Sequence, residues 1–215
     1  MNLSLNIKVA RTVLLKKLGF LLINAACFFI TNSHALIVTD GIVGSATSLA
    51  GLNYAITADL GRHVGANLFH SFDQFQINVG ESATFSGPDT VRRLISRVTG
   101  STRSTIDGLL RATTPETDLY FINPTGLLFG PNAELDIGGS FWAATADHID
   151  FTDGSRFSAT NPSDGSFSIA TPASFGFLDR RAPTGITMDG TSIDLRDGRG
   201  LALFGGQLTL NAALS

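Results

Sequence analysis

The chain has 215 residues, and all three of its lysines (Lys8, Lys16, Lys17) and its one cysteine (Cys27) fall within the first 35. Beyond them eleven arginines face eighteen acids, a formal charge of about −7. That balance excludes nucleic acid as a partner, because phosphates need a basic patch. It also leaves about 180 residues without a thiol, enough for one domain with a sizeable core. Exported chains enter an oxidising compartment, where a cysteine can crosslink. A chain that must cross a second membrane unfolded gains by having none.

The first 35 residues read as an export signal. Lys8, Arg11, Lys16 and Lys17 form a positive start, Leu18 to Ile30 is apolar apart from Asn24, and Ser33-His34-Ala35 offers small residues where a signal peptidase reads. The cut is expected after Ala35. The apolar run is shorter than the roughly 20 residues that span a bilayer, and no later stretch is long and apolar enough to do so. Lipidation at Cys27 is disfavoured, because Asn24 stands where a lipobox wants Leu.

Downstream, Gly, Ser, Thr, Asn, Asp and Phe are frequent and Glu and Lys are scarce, a composition of strands and turns rather than helices. Ile37-Val38 and Ile42-Val43 suggest an opening strand pair. Gly65 to Ile77 follows, with Phe69, Phe75 and Ile77 suited to one strand face. Val91 to Val98 is the most helix-like window, yet Arg92, Arg93 and Arg97 fit equally on a short strand that turns at Thr99-Gly100. From Asp118 onward, short apolar runs alternate with turn residues: Leu119 to Ile122, Leu127 to Phe129, Leu135 to Ile137, Phe141 to Ala144, Ile149 to Phe151 and Arg156 to Ser158.

A slide of about 22 residues sets Leu127 on Ile149, Phe129 on Phe151 and Leu135 on Phe157, and brings Ile106 near Leu127. Such a repeat, with tiny strands and Asn, Asp or Gly at the turns, suits a parallel β-helix, in which each coil buries its side chains against its neighbours. A β-sandwich is the alternative for short strands at this spacing. The expected fold is therefore all-β: a right-handed parallel β-helix with an N-terminal β cap, supplied by the residues before about Phe85, and extra-helical hairpins. Residues 201–210 read as a coil just beginning, so residues 36–215 are expected to be a domain truncated at its C-terminus.

The sharpest motif is Asn123-Pro124-Thr125-Gly126-Leu127, followed by Leu128-Phe129-Gly130-Pro131-Asn132. Pro at the second position and Gly at the fourth specify a tight turn between strands. This block resembles the Asn-Pro-Asn-Gly-Ile motif of the haemagglutination-activity, or secretion, domain of two-partner systems of the filamentous-haemagglutinin type. Thr125 stands for the second Asn and Leu127 for Ile. Asn67 to Phe72, Ile95 to Gly100, Ile106 to Leu109 and Gly138 to Phe141 are similar to further blocks of that family. The resemblance runs from about Ile37 to Leu210. A second family block, Asn-Pro-Asn-Leu, has no counterpart upstream; Gly87-Pro88-Asp89 is the nearest stretch.

The resemblance implies a secretion and targeting module and not an enzyme. It implies passage through the inner membrane by the general secretory machinery, then recognition in the periplasm by the polypeptide-binding domains of an outer-membrane β-barrel transporter. Delivery to the cell surface or medium follows, with Asn123 to Leu127 as the recognition motif. No cofactor or metal is implied. A surface adhesin acting through the β-helix itself is the alternative, and a β-helical carbohydrate enzyme a more distant one. The residues give that enzyme little support. Asp147, Asp150 and Asp153 recur every three residues, which does not keep carboxylates on one strand face. His63, His70 and His148 lack ligand spacing. Asp189-Gly190 and Asp197-Gly198 lack the Gly-Gly-x-Gly-x-Asp pattern of calcium nonapeptides. Trp142 suits the core or a stack between coils, and Arg92-Arg93 a solvated surface.

The export signal carries a direct test. Mass spectrometry of the periplasmic or secreted protein should find Leu36 at the N-terminus; a lipidated Cys27 or an intact precursor would contradict the reading.

Overall fold

The computed structural model describes residues 36–178, 184–191, 193 and 197–211. The expected signal and its cut after Ala35 lie outside the described residues. In chain order the strands are β1 (Ile37–Thr39), β2 (Ser48–Leu49), β3 (Asn53–Ile56), β4 (Arg62–Val64), β5 (Asn67–Ile77), β6 (Ser82–Phe85), β7 (Arg93–Val98), β8 (Ser104–Ile106), β9 (Leu109–Ala112) and β10 (Asp118–Ile122). They continue as β11 (Leu127–Phe129), β12 (Glu134–Asp136), β13 (Phe141–Ala144), β14 (His148–Phe151), β15 (Arg156–Ser158), β16 (Pro172–Gly176), β17 (Gly185–Asp189), β18 (Leu201–Phe204) and β19 (Gln207–Asn211). Two single 3₁₀ turns, Ala58–Leu60 and Pro162–Asp164, are the described helical elements.

These strands wind into a parallel β-solenoid with three faces. The first face stacks β5, β7, β10, β13 and β18, all parallel. The second stacks the end of β5 with β8, β11, β17 and β19. The third stacks β3, β6, β9 and β12. Inward side chains sit on like side chains of the next coil. Leu68, Leu94, Leu119, Phe141 and Leu201 form one column; Ile77, Ile106, Phe129, Met188 and Leu210 form another. Because side chains alternate across a strand, the same first-face strands point Phe69, Ile95, Tyr120 and Trp142 outward.

A second layer covers that outer side. Strands β15, β14 and β16 form an antiparallel sheet outside the solenoid. Its Ile149, Phe151 and Phe157 pack on Phe69, Ile95, Tyr120 and Ile122 in a cluster separate from the interior. Phe69 meets Phe157 edge-on at 5.1 Å between ring centroids, a geometry worth about 0.5–1.5 kcal/mol beyond area burial. The first face is thus covered on both sides, which explains the near-continuous apolar runs of β10 and β13.

The fold class and the extra-helical hairpins agree with the sequence reading, and several details correct it. Leu127 stacks on Ser104 and Ile186, not on Ile149. Ile149, Phe151 and Phe157 belong to the extra-helical sheet, whose short strands mimic a coil in sequence. Ile106 stacks beneath Phe129 rather than Leu127. The 22-residue offset holds for Leu119 to Phe141 and for Met188 to Leu210. It stretches to 60 from Phe141 to Leu201, where the antiparallel sheet is inserted.

At the N-terminus β1 pairs with β2 and β5, whereas Ile42-Val43 lies in a bend. The cap is β1, β2, β4 and the turn Ala58–Leu60; β3, β5 and β6 already belong to coils, so the cap ends well before Phe85. Phe69 does not share a face with Phe75 and Ile77. Strand β5 rounds a corner at Asp73, opposite the register shift between Val38 and Thr39, and its inward parity switches there. The window from Val91 is a strand, β7, followed by the turn at Thr99-Gly100.

Phe121 is fully buried between coils, its ring 4.8 Å from that of Phe75. Replacing it with Ala should cost about 3–5 kcal/mol, the usual penalty for a buried Phe with incomplete collapse. The urea midpoint should fall accordingly with the slope unchanged.

Candidate functional site

The Asn123–Leu127 block is the corner between the first and second faces. Gly126 N–H donates to the Asn123 carbonyl (3.0 Å), closing a β-turn. The Asn123 side chain closes a second ring, its Oδ1 accepting from Thr125 N–H (2.9 Å). Its Nδ2 reaches the preceding coil and donates to the Thr102 carbonyl (3.1 Å) and to Ser104 Oγ (2.9 Å). Thr125 Oγ1 donates to the Gly100 carbonyl on that same coil. From the following coil Thr184 Oγ1 donates to the Pro124 carbonyl (2.7 Å).

Each residue type follows from this geometry. Asn has the short amide that can serve its own turn and a neighbouring coil together. Pro presets its backbone angle and brings no N–H to satisfy. Gly126 has φ +123°, and a Cβ there would meet the Gly185 carbonyl at 3.3 Å. Leu127 enters the core. Asn123, Pro124, Gly126 and Leu127 are all buried, and Thr125 is half-buried. The structure therefore brings the motif together, but as an internal corner rather than an exposed patch.

Two clefts border the first face. One, of about 370 Å³, runs beside the motif and is lined by Thr99, Ser101, Pro124, Thr125, Thr160 and Pro162. It offers hydroxyls and proline rings and no charge. The other, about 380 Å³, is lined by Tyr120, Trp142, Phe175 and Phe204. Trp142 lies between Tyr120 and Phe204, with centroids at 5.7 and 6.3 Å and planes within 7° of parallel. Both its faces are occupied, so Trp142 is a stack between coils and not a sugar platform.

The titratable residues of the extra-helical sheet gather in one small cluster, His148 with Asp147, Asp150 and Arg156, whose members engage one another. Asp150 pairs with Arg156 (2.8 Å). Asp153 accepts from Ser155 and Ser168, which hold its carboxyl down to about 2. Asp147 accepts from the Leu178 N–H. His148 lies 3.4 Å from Asp150, and burial keeps its imidazole below the usual range. Among the described residues no three His, Cys, Asp or Glu side chains are placed to share a metal ion.

The TPS secretion domain model matches residues 36–215. The chain belongs to the TPS secretion domain family. It is a two-partner-secretion exoprotein module, and such a domain implies a partner transporter in general. Among solved structures it is similar to the HMW1 secretion domain from Haemophilus influenzae, with 19% identity, 85% of this chain and 40% of that chain covered, and a TM-score of 0.49. This chain thus spans less than half of that one. Comparison with curated proteins gave no match. Among the described residues no helix is long and apolar enough to cross a membrane.

The other blocks of the TPS resemblance also lie at junctions. Asn67 Nδ2 donates to the Ser168 and Ala170 carbonyls, tying β5 to the long connection that precedes β16. Arg97, on strand β7, is buried. Its guanidinium donates to Ser71 Oγ and to the Ser158 and Pro162 carbonyls, and lies 4.2 Å over the Phe157 ring. Burial lowers its pKa to about 10, with Asp40 opposing that shift, so it stays charged at neutral pH. Asp40 in turn accepts from Ser71 and Thr99. One arginine thus links the cap, the first two coils and the extra-helical sheet. Its placement outward on β7 is visible in the strand alternation, but its partners lie 26 and more residues away and leave no sequence signal.

Arg97→Met should therefore release the extra-helical sheet before it melts the coils. We expect a loss of about 2–3 kcal/mol, since charge-assisted hydrogen bonds are removed and carbonyls left unpaired. Hydrogen exchange should quicken in residues 145–178 while peptides of β8 to β12 keep their protection.

Proposed function

We propose that this chain is exported as the recognition and folding module of a two-partner system. It crosses the inner membrane by the general secretory machinery. An outer-membrane β-barrel transporter then takes it up, still unfolded, through periplasmic polypeptide-binding domains, and it folds at the cell surface or in the medium. The block Asn123 to Leu127 acts in that process before the corner has closed.

The observation that carries this reading is the burial of Asn123, Pro124, Gly126 and Leu127 between coils. A partner can read those side chains only while the chain is extended. The same burial makes the block a stitch that fixes one coil on the next, so recognition and folding compete for one set of groups. Coil-by-coil folding outside the barrel supplies a direction to transport, because each finished coil is a template for the next. An extended stretch such as Asn67–Ile77 also suits addition to the edge of a partner's sheet.

The test separates export from stability. Asn123→Ala removes three hydrogen bonds and leaves the Thr102 carbonyl and Thr125 N–H unpaired, at a cost of about 1–3 kcal/mol. Asn161 is exposed and serves as the loop control. With the cognate transporter co-expressed, Asn123→Ala should lower secretion severalfold while the purified domain still melts cooperatively. Asn161→Ala should change neither. Undiminished secretion of Asn123→Ala would leave the block a purely structural turn.

A further inference from the structure

His70 is an ionisable side chain inside the solenoid for which neither the corner nor the export reading has a use. It sits on β5 at an inward position, fully buried. Its ring is stacked near Phe72 and meets Phe85 edge-on at 5.3 Å. Its Nε2 lies 3.2 Å from the Thr57 carbonyl. A carbonyl only accepts, so Nε2 carries the proton. Nδ1 is buried and has no partner among the described residues. Ser96 Oγ, on the residue that pairs with His70 across the first face, is in the same position.

The Thr57 carbonyl opens the 3₁₀ turn Ala58–Leu60 of the cap. Gly61 ends that turn directly against the imidazole, where a Cβ would come within 2.9 Å of Nε2. On its far side Leu60 abuts Gly44, in the bend after β1. The turn is therefore a layer between the β1 loop and His70; Ala58 packs on the core, and among the described residues the side-chain hydrogen bond that ties the turn to the first face is that of His70.

We propose that His70 is an acid-sensitive latch, holding the cap turn on the first coil while neutral and releasing it when protonated. The chemistry follows from the surroundings. A second proton would sit on Nδ1, which is buried beside Phe72 and Phe85, makes no hydrogen bond and has no carboxylate partner. Of the charged groups on the packed elements, Asp59 acts on the ring, and it lies on the exposed side of the turn. Arg62 and Arg97 face the other way, over Phe167 and Phe157, and His63, beside Arg62 on β4, is exposed. Strands β3 and β6 bring no charged side chain; Tyr54, pushed up to about 12, stays neutral.

Burial lowers the His70 pKa from 6.5 to about 4, against weaker opposing effects of Thr57 and Asp59. The opened cap thus binds the proton first. The latch is at full strength above pH 6.5 and is lost as pH falls from 6.5 towards about 4. Asp59, whose pKa lies below its usual 3.8, does not titrate in that window.

The test is hydrogen exchange on the full chain between pH 7.5 and 4.5, corrected for intrinsic rates. Cap opening, read in residues 54–64, should rise about tenfold per pH unit below 6.5, while peptides of β10 to β12 stay flat. His148 titrates in the extra-helical sheet and is read in separate peptides. His70→Gln keeps a donor for Thr57 and should abolish the dependence. An NMR titration of the His70 ring needs no variant to fold, and should find the Nε2–H tautomer at pH 7 and no protonation until below pH 5. A His70 titrating near 6.5, cap exchange indifferent to pH, or the same dependence in a folded His70→Gln would each overturn the latch.

Discussion

Strand β5 carries the constraint from which the rest of the molecule follows. It bonds antiparallel to β1 and β4 and parallel to β7 and β8. Antiparallel pairing closes the N-terminal end, where bare coil edges would otherwise invite another chain. Parallel pairing sets the register that each later coil repeats. The switch requires one strand to turn a corner, and the parity change at Asp73 is how its side chains manage it. Phe69 and Ser71 face outward before the corner, while Phe75 and Ile77 face inward after it. From this come both cores: the interior column that starts at Leu68 and the outer cluster that starts at Phe69.

The outer cluster explains why the extra-helical sheet is integral to the fold. A first face with Phe69, Ile95, Tyr120 and Ile122 on its outside would be a broad apolar surface in water. The inserted sheet covers it with Ile149, Phe151 and Phe157. It is fastened where apolar packing alone gives no unique position, by Arg97 to the Ser158 and Pro162 carbonyls and by Asn67 to those of Ser168 and Ala170. A cation amid carbonyls is directional, so it fixes the seating that the aromatic rings leave free.

What the sequence discloses and what it hides divide along contact range. Local grammar survives: Leu119 to Ile122, Leu127 to Phe129 and Phe141 to Ala144 are strands, and the Asn-Pro-Thr-Gly turn is a turn, because each depends on neighbouring residues. Membership of a coil does not. Ile149-Asp150-Phe151 has the same alternation as Leu127-Leu128-Phe129, yet one pairs antiparallel outside the solenoid and the other parallel within it. Alternation reports that one strand face is buried and is silent on which partner buries it. Arg97 and His70 escape for a related reason. Burial of a charged or titratable side chain depends on distant partners; residue type argues for the surface in the case of Arg97 and leaves His70 undecided.

Burial of the motif bears on how one corner can serve both the fold and the export role we propose for it. An Asn-Pro turn alone is a weak stabiliser, worth little more than its own ring of hydrogen bonds. Here Asn123 also bonds back one coil, to Thr102 and Ser104, while Pro124 is held from the coil ahead by Thr184. Each bond forms only once the neighbouring coil is in place, so the corner and its neighbouring coils stabilise one another. Until then the amide, the proline ring and Leu127 stay exposed on an extended chain. A block well satisfied when folded is, by the same chemistry, distinctive when unfolded: a planar amide with spare donors and acceptors beside a rigid ring and a large aliphatic side chain. Closing the corner then removes those groups from any partner, so in the export reading we propose folding itself would end the contact.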